Sequence, residues 1–440
     1  MNMELFQRIG SFADDKAEEM KALRQDFHKY AEAGWKEIRT CSVLADRLTK
    51  MGYTNLKFGR ECIKAEARMG LPSKEELDAA YERALKEGAV LPYAEYFRDG
   101  FTAIIATLET GKPGPVIGVR CDIDALGVNE CQEETHRPAR EGFASVHPGE
   151  MHACGHDAHA TIGITLAEAL LREKENLSGT VKIVFQPAEE GVRGARSIAE
   201  SGILDDVDYM LANHMTARPA DSDAALKFCY AKCVANAKWD VYIHGKACHA
   251  TMPERGHNAM LATAAIIQGI YGIPRSAKGD SRINIGMVQA GSGRNVVCDE
   301  AKIVMEIRGM TQEALEYTAP YARRIIENCA AMHGCTAEIV EMGATPCAMV
   351  DVEDFTDEMV SLARELGYEV IPPKHVPTSE DYVYMAQRVQ EHGGKSLLFR
   401  TLSDYPAAPH SVRFDLQESD LPTAVKFFAA MILHLMQDKP

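Results

Sequence analysis

The order of strand-like and helical segments between residues 235 and 342 limits the fold of this chain more than any other feature. Strand-like segments at 235–244, 281–290, 295–308 and 336–342 are interrupted by helical segments at 257–272 and 312–334. This β-α-β-β-α-β order is typical of a compact unit in which helices cover one face of a sheet. We therefore predict a small two-layer domain inserted into a larger one.

The segments on either side of this unit alternate strands and helices, as in an α/β layered domain. We expect strands at 101–108, 115–121, 181–185 and 396–399, and helices at 12–33, 41–51, 74–88, 160–171, 353–366, 379–391 and 419–437. The chain is accordingly divided into a discontinuous domain, residues 1–222 and 346–440, and an inserted domain, residues 223–345.

The composition argues against several classes of partner. The 440 residues include 48 basic and 64 acidic side chains, and the formal net charge of −16 is unfavourable for binding nucleic acid or an anionic membrane. No apolar run is long enough to cross a bilayer, and the first residues lack the basic and apolar regions of a signal peptide. The 12 cysteines are scattered along the chain, so we expect reduced thiols and a cytoplasmic protein.

The segment from His152 to His159, His-Ala-Cys-Gly-His-Asp-Ala-His, concentrates side chains that bind metal ions. Imidazole, thiolate and carboxylate are ligands for zinc-like or manganese-like ions. Cys154 and His156 precede an apolar helical run, and a helix N-terminus favours a thiolate. We expect His152 and His159 to orient the ligands. A structural metal site and a hydrolase that activates water are both consistent with this segment.

Carboxylates follow two of the expected strands, at the position where α/β proteins place their sites. Asp122 and Asp124 alternate along an extended segment and could face one cleft. Glu189 and Glu190 could divide their roles, one binding metal and the other moving a proton. Each pair also has an ordinary interpretation, namely a solvated turn or helix cap for the aspartates and a surface acidic pair for the glutamates.

Eight motifs follow one another along nearly the whole chain. They are Arg24-Gln-Asp-Phe-His28, Arg120-Cys-Asp-Ile-Asp-Ala-Leu126, His152-Ala-Cys-Gly-His-Asp157, Phe185-Gln-Pro-Ala-Glu-Glu-Gly191, Asn213-His214, Ala247-Cys-His-Ala250, Gly291-Ser-Gly-Arg-Asn-Val296, and His410 before Phe414-Asp415. In this order the chain resembles the M20 metallopeptidase family, and within it the amidohydrolase branch that includes aminoacylase-like and indoleacetyl-amino-acid hydrolases. The resemblance implies a catalytic domain like that of zinc exopeptidases, with a central mixed sheet flanked by helices. It also implies that the inserted domain is a ferredoxin-like α+β lid through which subunits dimerise.

The resemblance further implies two divalent metal ions in each active site, Zn²⁺ or Mn²⁺. The implied ligands are Cys154, His156, Glu190, His214 and His410. Taken alone, His214 and His410 are more simply interpreted as core histidines, so their assignment depends on the family match.

Three acidic positions complete the implied catalytic centre. Glu189 corresponds to the general base that takes a proton from the attacking water. Asp124 corresponds to the aspartate that orients a ligand histidine. Asp122 occupies a position where other branches carry a ligand histidine, so Cys154 is expected to supply a ligand of another type.

The inserted domain carries further matches. His249 resembles a histidine that reaches from one subunit into the active site of its partner and stabilises the developing oxyanion. Asn295 and Arg308 resemble residues that hold the substrate carboxylate, a task that suits the bidentate guanidinium. The ordinary alternatives are a turn residue for Asn295 and a surface salt bridge for Arg308. A dimer with paired lids follows from the role of His249, and a heteromer with a related subunit is the alternative.

The leading hypothesis is a metal-dependent amidohydrolase that cleaves the amide of an N-acyl or N-aroyl amino acid with a free carboxylate. An aminobenzoyl-glutamate type of substrate, a folate breakdown product, is the first candidate. Deacylation of other N-acyl amino acids and dipeptide hydrolysis are alternatives within the family. The alternatives from other classes are a catalytically silent partner subunit, which would be free to lose Glu189, and a structural zinc protein, which would have its ligands in a closed local set.

Overall fold

A computed structural model describes residues 2–437 of the chain. Its helices are α1 (Met3–Asp15), α2 (Ala17–Lys29), α3 (Ile38–Met51), α4 (Lys74–Lys86), α5 (Arg137–Glu141), α6 (His156–Arg172), α7 (Ala195–Ala199), α8 (Ala259–Tyr271), α9 (Gln312–Met332), α10 (Glu353–Glu365), α11 (Val383–Glu391) and α12 (Leu421–Leu435). Its strands are β1 (Asn55–Phe58), β2 (Ile104–Glu109), β3 (Val116–Asp122), β4 (Thr180–Gln186), β5 (Tyr209–Ala217), β6 (Leu226–Lys227), β7 (Tyr230–Cys233), β8 (Ala235–His244), β9 (Ser281–Ala290), β10 (Glu300–Gly309), β11 (Thr336–Thr345), β12 (Val370–Ile371), β13 (His375–Thr378) and β14 (Lys395–Ser403). Within residues 2–437, no helix combines the length and the apolar character that a membrane span requires.

The larger sheet is mixed, with strand order β1-β2-β4-β3-β5-β14-β6-β12. Its centre, β4-β3-β5-β14, is parallel, while β1 and β2 extend one side in antiparallel pairing. The central strands are apolar and largely buried because helices cover both faces. The predicted mixed sheet flanked by helices is confirmed. Its parallel strands bring the loops after β3 and β4 to the same edge.

The first turn of helix α6 carries the second half of the segment from His152 to His159 and places it at this edge. Nearly all of its residues from His156 to Leu170 are buried, including His159 and Asp157, because the helix packs between the sheet and helices α2 and α12. A helix that is buried all round has little freedom to shift. The position of His156 is therefore fixed by the core of the domain.

The single helix predicted for residues 12–33 is wrong, because the chain forms two helices that meet at Lys16. The apolar spacing continues across the break, since Ala13 and Met20 are both buried and lie seven residues apart. Tertiary packing explains why the chain forms two helices: α1 packs mainly against α12, whereas α2 packs against α6. The sequence pattern contains no signal for this division.

The smaller sheet is antiparallel, with order β11-β8-β10-β9. The elements β8-α8-β9-β10-α9-β11 follow the predicted β-α-β-β-α-β order. Val241, Ile303 and Ile307 pack with apolar residues of α8 and α9 in a separate core. Because side chains alternate along a strand, the opposite face of this sheet is open and polar. We propose that this domain has the limits 223–345 and that residues 1–222 and 346–440 form the other.

Candidate active site

Asp124 connects two of the segments that carry candidate site residues. Its carboxylate oxygens each accept a hydrogen bond at 3.0 Å, from the backbone nitrogens of Glu189 and Glu190. On the other side, Nδ1 of His156 lies 3.2 Å from Asp124 Oδ1 and 3.0 Å from the Asp124 carbonyl oxygen. This contact directs Nε2 of His156 toward the two glutamates, at 3.9 Å from a carboxylate oxygen of each. The orienting role predicted for Asp124 would use these contacts, and it remains a prediction.

The implied ligands converge although they are spread along the chain. Three overlapping groups have donor atoms within 4.8 Å of one another: Cys154, His156 and His214; Cys154, Glu190 and His410; and His156, Glu189 and Glu190. Shared members make these groups one continuous cluster. The structure thus brings together all five residues predicted as ligands, and their assignment as ligands remains a prediction.

The donor atoms of the cluster fit divalent metal ions. His156 Nε2 and Glu190 Oε1 are buried without a hydrogen-bond partner in the described chain, an arrangement that is costly unless a cation is present. Nδ1 of His214 donates to the carbonyl of Met215 at 2.6 Å. Nε2 of His214 therefore faces Cys154 Sγ, at 3.6 Å. Nitrogen, sulfur and carboxylate donors of this kind suit zinc and also admit manganese.

The expectation that a helix N-terminus keeps Cys154 as a thiolate is wrong for the protein alone. Burial raises the pKa of Cys154 to about 12, and His156 opposes this shift only in part. Because α6 begins at His156, Cys154 lies outside its first turn. Burial also raises the pKa of Glu190 to about 7. A bound cation would favour the ionised forms of both groups.

The sequence did not reveal two further carboxylates beside Glu189. Donor atoms of Glu189, Glu380 and Asp381 lie within 4.8 Å of one another. Burial raises the pKa of Glu189 well above its ordinary value, and the charges of Glu380, Glu190 and Asp381 add to the shift. A carboxylate with a raised pKa is suited to holding a proton between two transfers.

The helix predicted for residues 379–391 includes Glu380 and Asp381, so the sequence did not indicate that they lie at the site. The helix α11 begins only at Val383, so both acidic residues lie in the preceding loop and are buried. Asp381 accepts hydrogen bonds from the backbone nitrogens of Gly194 at 3.1 Å and Ala195 at 2.8 Å, which anchors the end of the glutamate loop. The only sequence signal was the adjacent acidic pair itself.

The loop that carries Glu189 and Glu190 has an unusual backbone. Ala188 and Val192 have φ values of 51° and 62°, a region that non-glycine residues seldom adopt and that is unfavourable for a β-branched side chain. The loop is held by Arg193, whose Nε donates to the carbonyl of Glu190 at 2.8 Å. Strain of this kind persists only where the surroundings enforce it, and it is concentrated at functional sites.

The remaining residues of the opening motif have different environments. His159 accepts a hydrogen bond from the backbone nitrogen of Met215 at 2.8 Å and contacts Asp122 through its other ring nitrogen. Asp122 is also paired with Arg120 at 2.6 Å, and its Oδ2 lies 3.6 Å from Nε2 of His156. His152 is buried, and neither ring nitrogen has a hydrogen-bond partner within the described residues. The orienting role predicted for His159 would use these contacts and remains a prediction, whereas His152 makes no such contact within the described residues.

The predicted residues of the small domain occupy opposite ends of its sheet. His249 and Asn295 lie on neighbouring exposed loops, since His249 bridges to Val296 and the nitrogen of Ala250 donates to the Asn295 carbonyl at 3.0 Å. Arg308 lies near the other end of β10, where it is paired with Glu306 at 3.0 Å. The eight residue-to-residue steps from Glu300 to Arg308 alone span about 26 Å of strand. One chain therefore does not bring these residues to a single substrate.

The fold and the donor cluster define a metal-dependent hydrolase with two cation positions beside a buried carboxylate. Residues 118–434 match the model of peptidase family M20/M25/M40, and the chain belongs to this family. It is accordingly an enzyme, a dinuclear metal-dependent amidohydrolase or peptidase.

Relatives of known activity match almost the whole chain. It is 39% identical over 430 residues to one of the subunits of p-aminobenzoyl-glutamate hydrolase from Escherichia coli (strain K12), covering 97% of this chain and 98% of that one. It is 41% identical over 420 residues to indole-3-acetyl-aspartic acid hydrolase of Enterobacter agglomerans, covering 94% and 95% of the two chains.

Solved structures share the fold of this chain. The aminobenzoyl-glutamate utilization protein of Klebsiella pneumoniae superposes with a TM-score of 0.82 at 34% identity, covering 98% of this chain and 99% of that one. A dinuclear metal-binding peptidase of the M20 family from Bacillus subtilis shares the fold, with a TM-score of 0.62 at 24% identity, covering 97% of this chain and 100% of that one.

Proposed function

We propose that this enzyme hydrolyses the amide of an N-aroyl amino acid, with p-aminobenzoyl-glutamate cleaved to p-aminobenzoate and glutamate. The observation that carries the proposal is the buried Glu189 carboxylate, which lies beside the converging donor atoms of His156 and Glu190. The near full-length similarity to a p-aminobenzoyl-glutamate hydrolase chain supports this choice of substrate. Deacylation of other N-acyl amino acids is the second candidate, because the chain is also similar to an indole-3-acetyl-aspartic acid hydrolase.

The proposed roles follow from the chemistry of the site residues. Cys154, His156, Glu190, His214 and His410 would hold two divalent ions, Zn²⁺ or Mn²⁺. When bound, these ions polarise the amide carbonyl and acidify water. Glu189 then takes a proton from the attacking water and passes it to the departing amine nitrogen, while Asp124 keeps His156 in orientation.

We also propose a dimer formed through the small domain. Strand β9 is an edge strand of its sheet, and helix α8 beside it exposes the apolar side chains of Met260, Leu261 and Tyr271. Exposed strand edges and apolar patches of this kind are used for association. In such a dimer His249 and Asn295 would reach the partner's site, while Arg308 would serve the site of its own chain. A related subunit in place of a second copy is the alternative, since the matched hydrolase chain is named as one subunit of its enzyme.

We place the enzyme in the cytoplasm. All 12 cysteines are free in the structure, as expected for a reducing compartment.

The substrate proposal is tested by a hydrolysis screen of the purified protein supplied with zinc or with manganese. The panel combines p-aminobenzoyl, indoleacetyl and acetyl groups with glutamate, aspartate and apolar amino acids, and release of the amino acid is measured. We expect the highest kcat/KM for p-aminobenzoyl-glutamate. Turnover restricted to acetyl amino acids would replace this substrate with the second candidate, and no turnover of any amide would contradict the proposal.

A further inference from the structure

Lys238 lies on the open face of the small sheet, above the catalytic loop. Its neighbours in the strand, Ala237 and Trp239, belong to the core under the helices, so Lys238 points to the other face. In the register of the sheet it stands opposite Glu306 on one side and Gly343 on the other.

The strand beside Lys238 is in contact with the glutamate loop. The backbone nitrogen of Ala344 donates to the carbonyl of Val192 at 3.2 Å. At Gly343 the approach is so close that an added Cβ would lie 2.2 Å from the carbonyl oxygen of Gly191. Lys238 is therefore held next to the segment that carries Glu189, and the pKa of Lys238, which burial lowers, also responds to the charges of Glu306 and Glu189.

The Lys238 ammonium group has no hydrogen bond or ion pair in the described chain. Glu306 would be its natural partner, but both Glu306 oxygens accept from Arg308, at 3.0 and 3.2 Å. Asp240, the next acidic group on this face, is paired with Lys302 at 2.6 Å. A partly buried cation without a directly paired counter-charge is unfavourable unless a ligand supplies one.

Space for such a ligand is present. Lys238 lines a pocket of about 270 Å³ together with Asn284, Glu306 and Met342. Arg308 lies diagonally across the register from Lys238, a spacing of about 7–8 Å between backbones on the same face. The two cations are close enough to bind two acidic groups of one small molecule.

We propose that Lys238 binds the second, side-chain carboxylate of the substrate, so that the enzyme selects amides whose amine part is a dicarboxylic amino acid. This inference rests on the proposed function, in which Arg308 holds the first carboxylate. The two relatives described above are named for conjugates of glutamate and of aspartate, both dicarboxylic. A lysine suits this role because its ammonium is a compact charge on a flexible stem that can follow either side-chain length.

The test compares p-aminobenzoyl-glutamate with p-aminobenzoyl-glutamine, which has the same shape but lacks the second charge. For Lys238→Met we expect the glutamate-to-glutamine ratio of kcat/KM to fall by about tenfold or more, through KM, because a charge-assisted hydrogen bond is lost. Turnover of the glutamine conjugate should fall much less than that of the glutamate conjugate, the metal content should be unchanged, and Lys238→Arg should restore part of the preference. The control Lys278→Met removes an equal charge from an exposed loop of the same domain and should leave the ratio as it is.

Binding provides a readout that does not depend on turnover. In calorimetric titrations of the Glu189→Gln protein, we expect tighter binding of the glutamate conjugate than of the glutamine conjugate, and loss of this difference when Lys238→Met is added. An unchanged ratio in Lys238→Met, or an equal loss with both conjugates, would overturn the assignment. If wild type hydrolyses neither conjugate, the proposed function fails, while the binding preference still decides the role of Lys238.

Discussion

The guanidinium of Arg24 lies against the carboxylate of Asp157, with Nε 2.8 Å from Oδ2, and neither side chain is exposed to solvent. Asp157 follows His156, the first residue of α6. The same guanidinium also contacts Asp415 at 3.0 Å and Glu418 at 3.2 Å, in the segment after the last implied ligand. One arginine in α2 therefore joins the two parts of the chain that close the donor cluster from opposite sides.

Replacement of Arg24 by methionine should destabilise the protein by about 3–5 kcal/mol, because it leaves the fully buried Asp157 without its arginine, whereas Asp415 and Glu418 keep their contacts with Arg137. Urea unfolding followed by circular dichroism measures this change. The matched control is Arg47→Met, which removes an arginine whose contact with Glu19 is partly exposed, and it should cost about 0–1 kcal/mol. Equal effects of the two substitutions would show that the Arg24 contacts contribute little.

The contribution of His28 to stability should depend on pH. Burial and the charge of Arg24 lower the pKa of His28, but its hydrogen bonds with Asp157 at 2.8 Å and Glu130 at 3.0 Å outweigh them, and the pKa is raised overall. A histidine with a raised pKa in the folded state stabilises fully below its unfolded pKa of about 6.5, and this stabilisation is lost as pH rises through the folded value.

We therefore expect the difference in free energy of unfolding between wild type and His28→Gln to be largest near pH 6 and to shrink toward alkaline pH. Urea unfolding at a series of pH values measures it. The control is His244→Gln, since His244 is an exposed histidine paired with Glu300 and should give a small difference at every pH. A difference that grows with pH would mean that the folded protein favours neutral His28.

The motifs of the sequence were sufficient to predict the mixed sheet and the five residues whose donor atoms the structure brings together. They were sufficient because metal-binding side chains are rare in combination and because strand periodicity marks the sheet edge where they meet. Asp124 illustrates this, since its family motif predicted a role in the site, whereas its position after an apolar strand, taken alone, was also explained by a solvated turn or a helix cap.

Features that depend on packing between distant segments could not be predicted in this way. The break at Lys16 follows from which helices α1 and α2 contact, and the burial of Glu380 and Asp381 follows from where α11 begins. The protonation of Cys154 likewise depends on how deeply the folded chain buries it. In each case the local pattern was compatible with two outcomes, and the tertiary structure selected one.

The adjacent glutamates should respond differently to the same substitution. Glu189→Gln should retain bound metal but lose at least about two orders of magnitude in kcat, because the amide cannot take up the proton of the attacking water. Glu190→Gln should instead lose metal, because its buried oxygen faces His156 and His410 at 3.9 and 3.8 Å. Metal analysis of the dialysed proteins and kinetics at saturating metal separate the two effects. An active Glu189→Gln enzyme would remove the assignment as general base.

The position of His249 leads to a prediction about pairs of inactive subunits. His249 is exposed, its ring contacts only Thr251 at 2.7 Å among the described residues, and it lies far along the sheet from Arg308. His249→Ala should therefore fold and bind metal normally but turn over poorly.

When His249→Ala and Glu189→Gln subunits are co-expressed with different tags and the mixed dimer is isolated, one of its sites combines an intact Glu189 with an intact His249 from the partner. This dimer should show about half of the wild-type activity per dimer, although each parent is inactive. Activity no higher than that of the parents would mean that His249 does not act across the subunit interface.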